Sequence, residues 1–281
     1  MLSADRKGTL CFIAASICWS FGGVLIKFIP WSAMSIIGLR ALLAAAVFAV
    51  YRGSVNVSLT RGNVLTALCL SATTILFVFA NKLTTAAAAI VLQFTAPVFI
   101  ILIQFVLYHH KPRRSEIVAV SVTLCGMVLL FADRLEGGGL LGNLCALASG
   151  FTFACVFIGN KPPDVDTEQA LFLGFLINTV IGMPFAVMEV TADFVPWISI
   201  IIMGVVQVGI AYVLFSIGIK RTPALLACLI SAFEPVLNPV WVALFVSEYP
   251  GGYTAVGGAV IILAVLGYNV WVEKHPAPND R

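Results

Sequence analysis

Apolar residues are gathered along this chain into ten blocks, each close to the roughly 20 residues that a helix needs to cross a bilayer. The blocks run at about 9–28, 32–51, 63–81, 84–108, 115–132, 139–159, 169–188, 195–218, 222–246 and 253–272. Short links carrying charge, Gly or Pro separate them, and none is long enough to hold a soluble domain of its own. The opening MLSADRKG followed by an apolar run has the outline of a signal peptide. The run Thr9–Phe28 is too long for an h-region and lacks a small-x-small cleavage site, so it is read as the first helix. The pattern predicts an all-α polytopic membrane protein with ten transmembrane helices.

Composition agrees: 60% of the 281 residues are hydrophobic and 10% charged, with a mean hydropathy of +1.04. A soluble domain carries about a quarter charged residues. The net charge of +3 is small and dispersed, which excludes a nucleic-acid partner and leaves membrane lipids and a small-molecule substrate. With the first residue inside and ten crossings, twelve basic residues, from Arg6 and Lys7 to Lys274 and Arg281, fall on the cytoplasmic side. Only Lys27, Lys82 and Arg134 fall outside, and Arg40 lies within the second helix. The positive-inside rule then places both termini in the cytoplasm, in the cell (cytoplasmic or inner) membrane. The seven cysteines lie in apolar runs without a CxxC pair, and His109, His110 and His275 lie at or beyond helix ends. No metal, disulfide framework or cofactor is expected.

The chain also repeats itself. LTTAAAAIVLQFTAPVFIILIQFVLYHHKP (83–112) aligns without a gap to RTPALLACLISAFEPVLNPVWVALFVSEYP (221–250) at a shift of 138. Thr84 meets Thr222, Pro97 meets Pro235, and Pro112 meets Pro250. AASICWSFGGV (14–24) aligns to ALASGFTFACV (146–156) at a shift of 132. Each half then holds five helices, an odd number, so the second half (137–281) enters the membrane upside down relative to the first (1–136). Inverted repeats of this kind build many secondary transporters, with the substrate near midplane at the repeat interface.

The AASICWSFGG run of the first helix, SIIGLRALLAAA of the second, QFTAPVFIILIQFVL of the fourth and FEPVLNPVWVALFVSE of the ninth resemble the EamA-type members of the drug/metabolite transporter superfamily. The resemblance spans nearly the whole chain and is specific for the fold but poor for the substrate. It implies a basket of helices around a central cavity, helices 5 and 10 at the periphery, alternating access, and export rather than uptake.

Glu234 is the acidic residue set deep in an apolar run, and ionising it in hydrocarbon is costly unless it faces a water-filled cavity or a partner. Ser231, Glu234, Asn238 and Trp241, spaced by three, four and three, share one face of a continuous helix and predict a cavity wall for a polar or cationic solute. Proton coupling is assigned to Glu234. A purely structural role, a protonated carboxyl bonded to a neighbouring helix, stays open. Its repeat mate is Ala96, so the halves are chemically unequal. Gln93, the mate of Ser231, is a candidate for substrate contact, Gln104 a weaker one. Trp19, with Phe151 as its counterpart, is a candidate for stacking on an alkylated ammonium. Gln207 and Tyr212, and Asn178 more weakly, complete the candidates for binding. Pro97, Pro235 and Pro239 permit kinks that serve gating or stay static. Arg40 is assigned a structural or gating role before contact with a substrate carboxylate, and Lys27 is expected to snorkel.

Three classes of function compete. A secondary transporter of an amino acid, amine or other zwitterionic or cationic metabolite fits best. GxxxxGK[ST] is absent, so the chain has no nucleotide site of that kind. An intramembrane enzyme needs paired polar groups that the spans lack. A non-transporting membrane partner or lipid-carrier flippase has only Arg40 and Lys27 in its favour. Small residues in the last helix (Gly257, Gly258, Gly267) permit a homodimer as well as a monomer.

Overall fold

A computed structural model describes residues 5–26, 28–134, 139–162, 164–246 and 251–275. These residues form ten helices: α1 (Arg6–Ile26), α2 (Ala33–Arg52), α3 (Arg61–Leu83), α4 (Ala86–Tyr108), α5 (Arg114–Leu130), α6 (Leu140–Gly159), α7 (Thr167–Glu189), α8 (Phe194–Ile219), α9 (Ala224–Phe245) and α10 (Gly252–Lys274). Among the described residues nine of them have the length and apolarity of a membrane crossing. The tenth, α5, has 17 residues, at the short end of that range. Ser32, Thr60, Thr85 and Asp166 start α2, α3, α4 and α7 by accepting a bond from a first-turn N–H. Large apolar side chains such as Leu10, Val50, Leu65, Val106 and Val187 point outward, while Ser16, Thr73, Asn178 and Gln207 are buried. A bilayer as solvent explains that inversion.

The inverted repeat governs the packing. α1 lies along α8 as α6 lies along α3. α1 also packs on α9 as α6 packs on α4, and α2 on α8 as α7 on α3. Two pairs are repeat mates touching each other: α2 against α7, and α5 against α10. Both cross at glycine. A Cβ on Gly38 would sit 2.5 Å from the Gly182 carbonyl carbon, and one on Gly182 would sit 2.4 Å from Gly38 N. On the other side, a Cβ on Gly257 would meet Leu130 N at 2.2 Å. Gly257 and Gly258 therefore face α5 and α9 inside the chain, and of the small residues considered for a dimer only Gly267 points to open space. The snorkelling expected of Lys27 falls outside the described residues.

The two ends of the bundle are fastened differently. At the end holding residue 5, Arg221 donates to Asp5 at 3.0 Å, Lys220 pairs with Glu168 at 3.5 Å, and Asn63 Oδ1 accepts from Asp166 N. Lys161, in the link before α7, buries its amine and donates to Ile219 O and Thr222 O at the end of α8. Burial pushes its ammonium down to about 8. Behind this layer Phe12 stacks on Phe157 and both meet Phe215 edge to face, all three fully buried. The opposite end is tied at its rim, where Glu189 accepts from Ser32 N and Ser35 Oγ and Thr84 donates to Asn143.

Gly182→Val is expected to lower the apparent Tm of the detergent-purified protein, at the usual overpacking cost of about 1–3 kcal/mol. Gly267→Ala should leave it unchanged; equal effects would refute the glycine crossing. A second expectation concerns pH. An unfolded chain whose lysine titrates at 10.5 loses a proton on folding to a state that titrates at about 8, so stability rises with pH inside that window. The Tm of wild type minus that of Lys161→Met should therefore grow between pH 8 and 10.5; a flat difference would show that Lys161 is not held in this way.

Candidate functional site

Three of the ten helices are interrupted along their length. α1 stops at Ser20 and resumes at Gly22. α4 stops at Gln93 and resumes at Ala96, with Pro97 in the first turn of the new segment. α9 stops at Ser231 and resumes at Phe233. The last two breaks are repeat mates, since Phe94 shifted by 138 is Ala232. Each is crossed by a helix of the other half. α6 lays Gly150 on the Leu92 and Gln93 carbonyls, where a Cβ would approach within 2.7 Å of Gln93 O. α1 sends Ser16 Oγ to Ile230 O at 3.3 Å.

A cavity of two lobes opens at these breaks. The larger, about 500 Å³, reaches from the breaks toward the end away from residue 5, past Ile26, Asn81, Thr85, Phe131 and Thr254. That volume suits a small organic molecule. The smaller, about 140 Å³, runs the other way and ends on Phe153, Phe175, Asn178 and Tyr212. The lobes share a waist of Trp19, Arg40, Phe77, Gln93, Phe94, Gln207 and Glu234. Trp19 and Tyr212 meet edge to face at 5.2 Å, and Tyr212 meets Phe175 at 5.3 Å. Aromatic rings thus separate the lower lobe from the fastened end.

Local structure aims the waist residues. α8 is π-helical over Met203–Ile210, and this wider winding brings Gln207 and Tyr212, five residues apart, to one side. Gln207 Nε2 donates to Trp19 O at 3.2 Å, which orients its amide. It reaches the α1 break because residue 22 is glycine: a Cβ there would lie 2.8 Å from Nε2. Gln93 Nε2 donates to Ser149 Oγ at 2.8 Å, and that hydroxyl to Thr73 O. Trp19 Nε1 and Gln207 Oε1 are buried without a hydrogen-bond partner among the described residues. Each such orphan costs about 1–3 kcal/mol. Arg40 and Glu234 line the same waist without forming an ion pair with each other.

The structure brings together Glu234, Asn238, Trp19, Gln93, Gln207, Tyr212, Arg40, Pro235 and Pro239 at the cavity. It separates others. The expected stripe on α9 requires an unbroken helix, and the break at Ala232 disrupts it. Ser231 is fully buried away from the lobes and donates to Ala227 O. Trp241 leaves the wall, donates to Ser20 Oγ at 2.8 Å and stacks on Phe21 at 4.5 Å, clamping α9 to the α1 break. Pro97 is buried at the α4 break outside the lining, and Gln104 lies outside it too. Phe151 is half exposed and packs on Phe99, so it does not mirror Trp19. Asn178 lines the lower lobe but accepts from Ser71. Sequence reasoning missed Thr73, Thr74, Phe77, Asn81 and Phe175. A polar residue every few positions through the third block was the one visible signal for Thr73, Thr74 and Asn81; Phe77 and Phe175 gave none.

Known proteins agree with this architecture. The model of the EamA-like transporter family matches residues 6–132 and again 140–270. The uncharacterized transporter YwfM of Bacillus subtilis is 26% identical over 216 residues, 72% of this chain and 71% of that protein. The aromatic amino acid exporter YddG of Ancylobacter novellus is 25% identical over 193 residues, 65% of this chain and 67% of that protein. A solved crystal structure superposes at a TM-score of 0.84 with 20% identity, covering 98% of this chain and 100% of the other, a likeness of fold. Two matches to one family model in tandem, on an all-helical bundle whose broken helices meet at a polar cavity, place this multi-pass membrane protein in the EamA-like transporter family.

Proposed function

We propose that this transporter carries a small organic solute bearing an ammonium group across the cytoplasmic membrane, with Glu234 as the residue that couples the solute to protons. The observation that carries the reading is the position of Glu234: at the restart of a broken helix, on a waist shared by both lobes of the central cavity. Ionising a carboxylate in the bilayer interior is costly unless a cation or a proton meets it there. Glu234 thus exchanges a proton for a cationic group as the cavity fills and empties. A relative named as an aromatic amino acid exporter supports an amino acid over other solutes.

Alternating access follows from the repeat. One end of the bundle is closed by packed rings and ion pairs while the cavity reaches toward the other. In an inverted repeat the mirror arrangement closes the opposite end with equivalent contacts. The basic residues at the ends of α2, α4, α6 and α8 (Arg52, Lys111, Lys161, Lys220) share the closed end with residue 5, which supports a cytoplasmic location for that end.

The test is transport by the reconstituted protein, with a pH-sensitive dye inside the vesicles and a panel of amino acids and amines outside. Glu234→Gln should reduce solute-driven proton movement about tenfold or more, the loss expected for one charge-assisted contact, while apparent Tm stays near wild type. Proton movement at the wild-type rate in that variant would end the coupling assignment. Failure of every amino acid and amine to cross would end the substrate assignment.

A further inference from the structure

We infer that the corner between the α4–α5 link and the end of α10 binds one anionic phospholipid. Lys111 and Arg114 hold its headgroup phosphate, and its acyl chains lie between α4 and α5. The site is independent of the solute that the cavity carries. The link and the first residue of α5 read His-His-Lys-Pro-Arg-Arg (109–114). Elsewhere at this end, basic side chains are engaged with the protein itself: Arg221 with Asp5, Lys220 with Glu168, Arg6 with Glu273, and Arg52 with Asn56 O. Lys111 and Arg114 are exposed and make neither an ion pair nor a side-chain hydrogen bond among the described residues. The acids nearby do not answer them. Glu116 is 5% exposed, accepts from Arg113 N at 2.8 Å and faces His110 at 3.7 Å, while Glu273 is turned to Arg6 at 3.6 Å.

The two cations are presented from a fixed turn. His109 turns the chain through the left-handed region at φ 52°, and Pro112 locks a further torsion. Arg113 lays its guanidinium 5.7 Å over the Trp271 ring, which stacks on His275 at 5.0 Å. That contact ties the link to the end of α10. Beneath the link the two helices part: α5 packs on α10, and the second segment of α4 packs on α6 and α9. Val106 and Leu107 on α4, and Ile117 and Val118 on α5, are exposed there. Depth fits as well. The 17 residues of α5 rise about 25 Å, less than the roughly 30 Å of hydrocarbon, so the ends of α5 lie level with the phosphates rather than beyond them. A lysine point charge and an arginine fork over an apolar crevice match a phosphodiester over acyl chains. A soluble phosphate meets the charges alone, and a zwitterionic lipid brings its own ammonium against them.

The experiment counts lipid on the full-length protein by native mass spectrometry in a nonionic detergent. It titrates phosphatidylglycerol, phosphatidylcholine with the same chains, and glycerol phosphate. Wild type should bind one phosphatidylglycerol about tenfold or more tightly than phosphatidylcholine, and glycerol phosphate no better than the choline lipid. Lys111→Gln with Arg114→Gln should abolish that preference. Lys7→Gln with Arg61→Gln removes two other exposed charges from the same end and should keep it. Equal binding of the two lipids by wild type overturns the inference. So does a preference that survives in the Lys111 and Arg114 double variant, or one lost equally in both double variants, which reduces the site to the general charge of that end. Glycerol phosphate binding as tightly as phosphatidylglycerol makes the corner a site for free phosphate and overturns the lipid assignment. Should the first double variant fail to fold, a photoreactive phosphatidylglycerol on wild type decides: its label should fall within residues 105–118, and label confined to other segments overturns the site.

Discussion

A bilayer interior offers no water to a backbone group released from its helix, and this constraint organises the whole bundle. α4 and α9 are broken within their spans and α1 nearer its end, where free carbonyls and N–H groups are poorly tolerated. Each break in α4 and α9 is therefore covered by a helix from the opposite half, close enough that glycine stands at one crossing and a serine hydroxyl bonds across the other. The breaks in turn create the only kind of place where a charge can be held at that depth. Glu234 and Arg40 sit there because irregular backbone, cavity and polar lining come together.

The polar groups of the cavity divide by how firmly they are held. Gln93 and Asn178 are engaged with Ser149 and Ser71, and they belong as much to the scaffold as to the cavity. Trp19, Gln207, Arg40 and Glu234 retain unused bonding capacity at the waist. A buried network left half-satisfied is poorer than an apolar core in stability.

Much of the fold was legible in the sequence because hydropathy and repeat length act over whole helices. Ten blocks, their polarity of charge and the ungapped alignment of 83–112 with 221–250 pointed to the helices and to their pairing. The site was legible only in part. Glu234, Trp19, Gln207 and Arg40 stood out as polar or aromatic residues inside apolar blocks, where each needs a reason. The stripe from Ser231 to Trp241 did not survive, because it assumed 3.6 residues per turn through a helix that stops at Ala232. The same assumption hid the kinship of Gln207 and Tyr212, which a π-helical winding brings to one wall. Side-chain chemistry is local and visible in a sequence, whereas the phase of a helix after a break is set by its neighbours.

The two glycine crossings have a consequence for how the molecule responds to change. An exchange of the two halves carries every contact onto its mate, so α1 on α8 becomes α6 on α3. The helix pairs α2 with α7 and α5 with α10 are carried onto themselves. Their close contacts are not: Gly38 on Gly182, and Gly257 on Leu130, stand toward the end away from residue 5. The exchange would send each of them to the other end of its own pair. A glycine crossing is thus a one-ended contact between self-paired helices, as the Lys161 bonds are a one-ended contact on α8. Two helices related in this way would remain neighbours throughout while the place of their tightest approach moved from one end to the other.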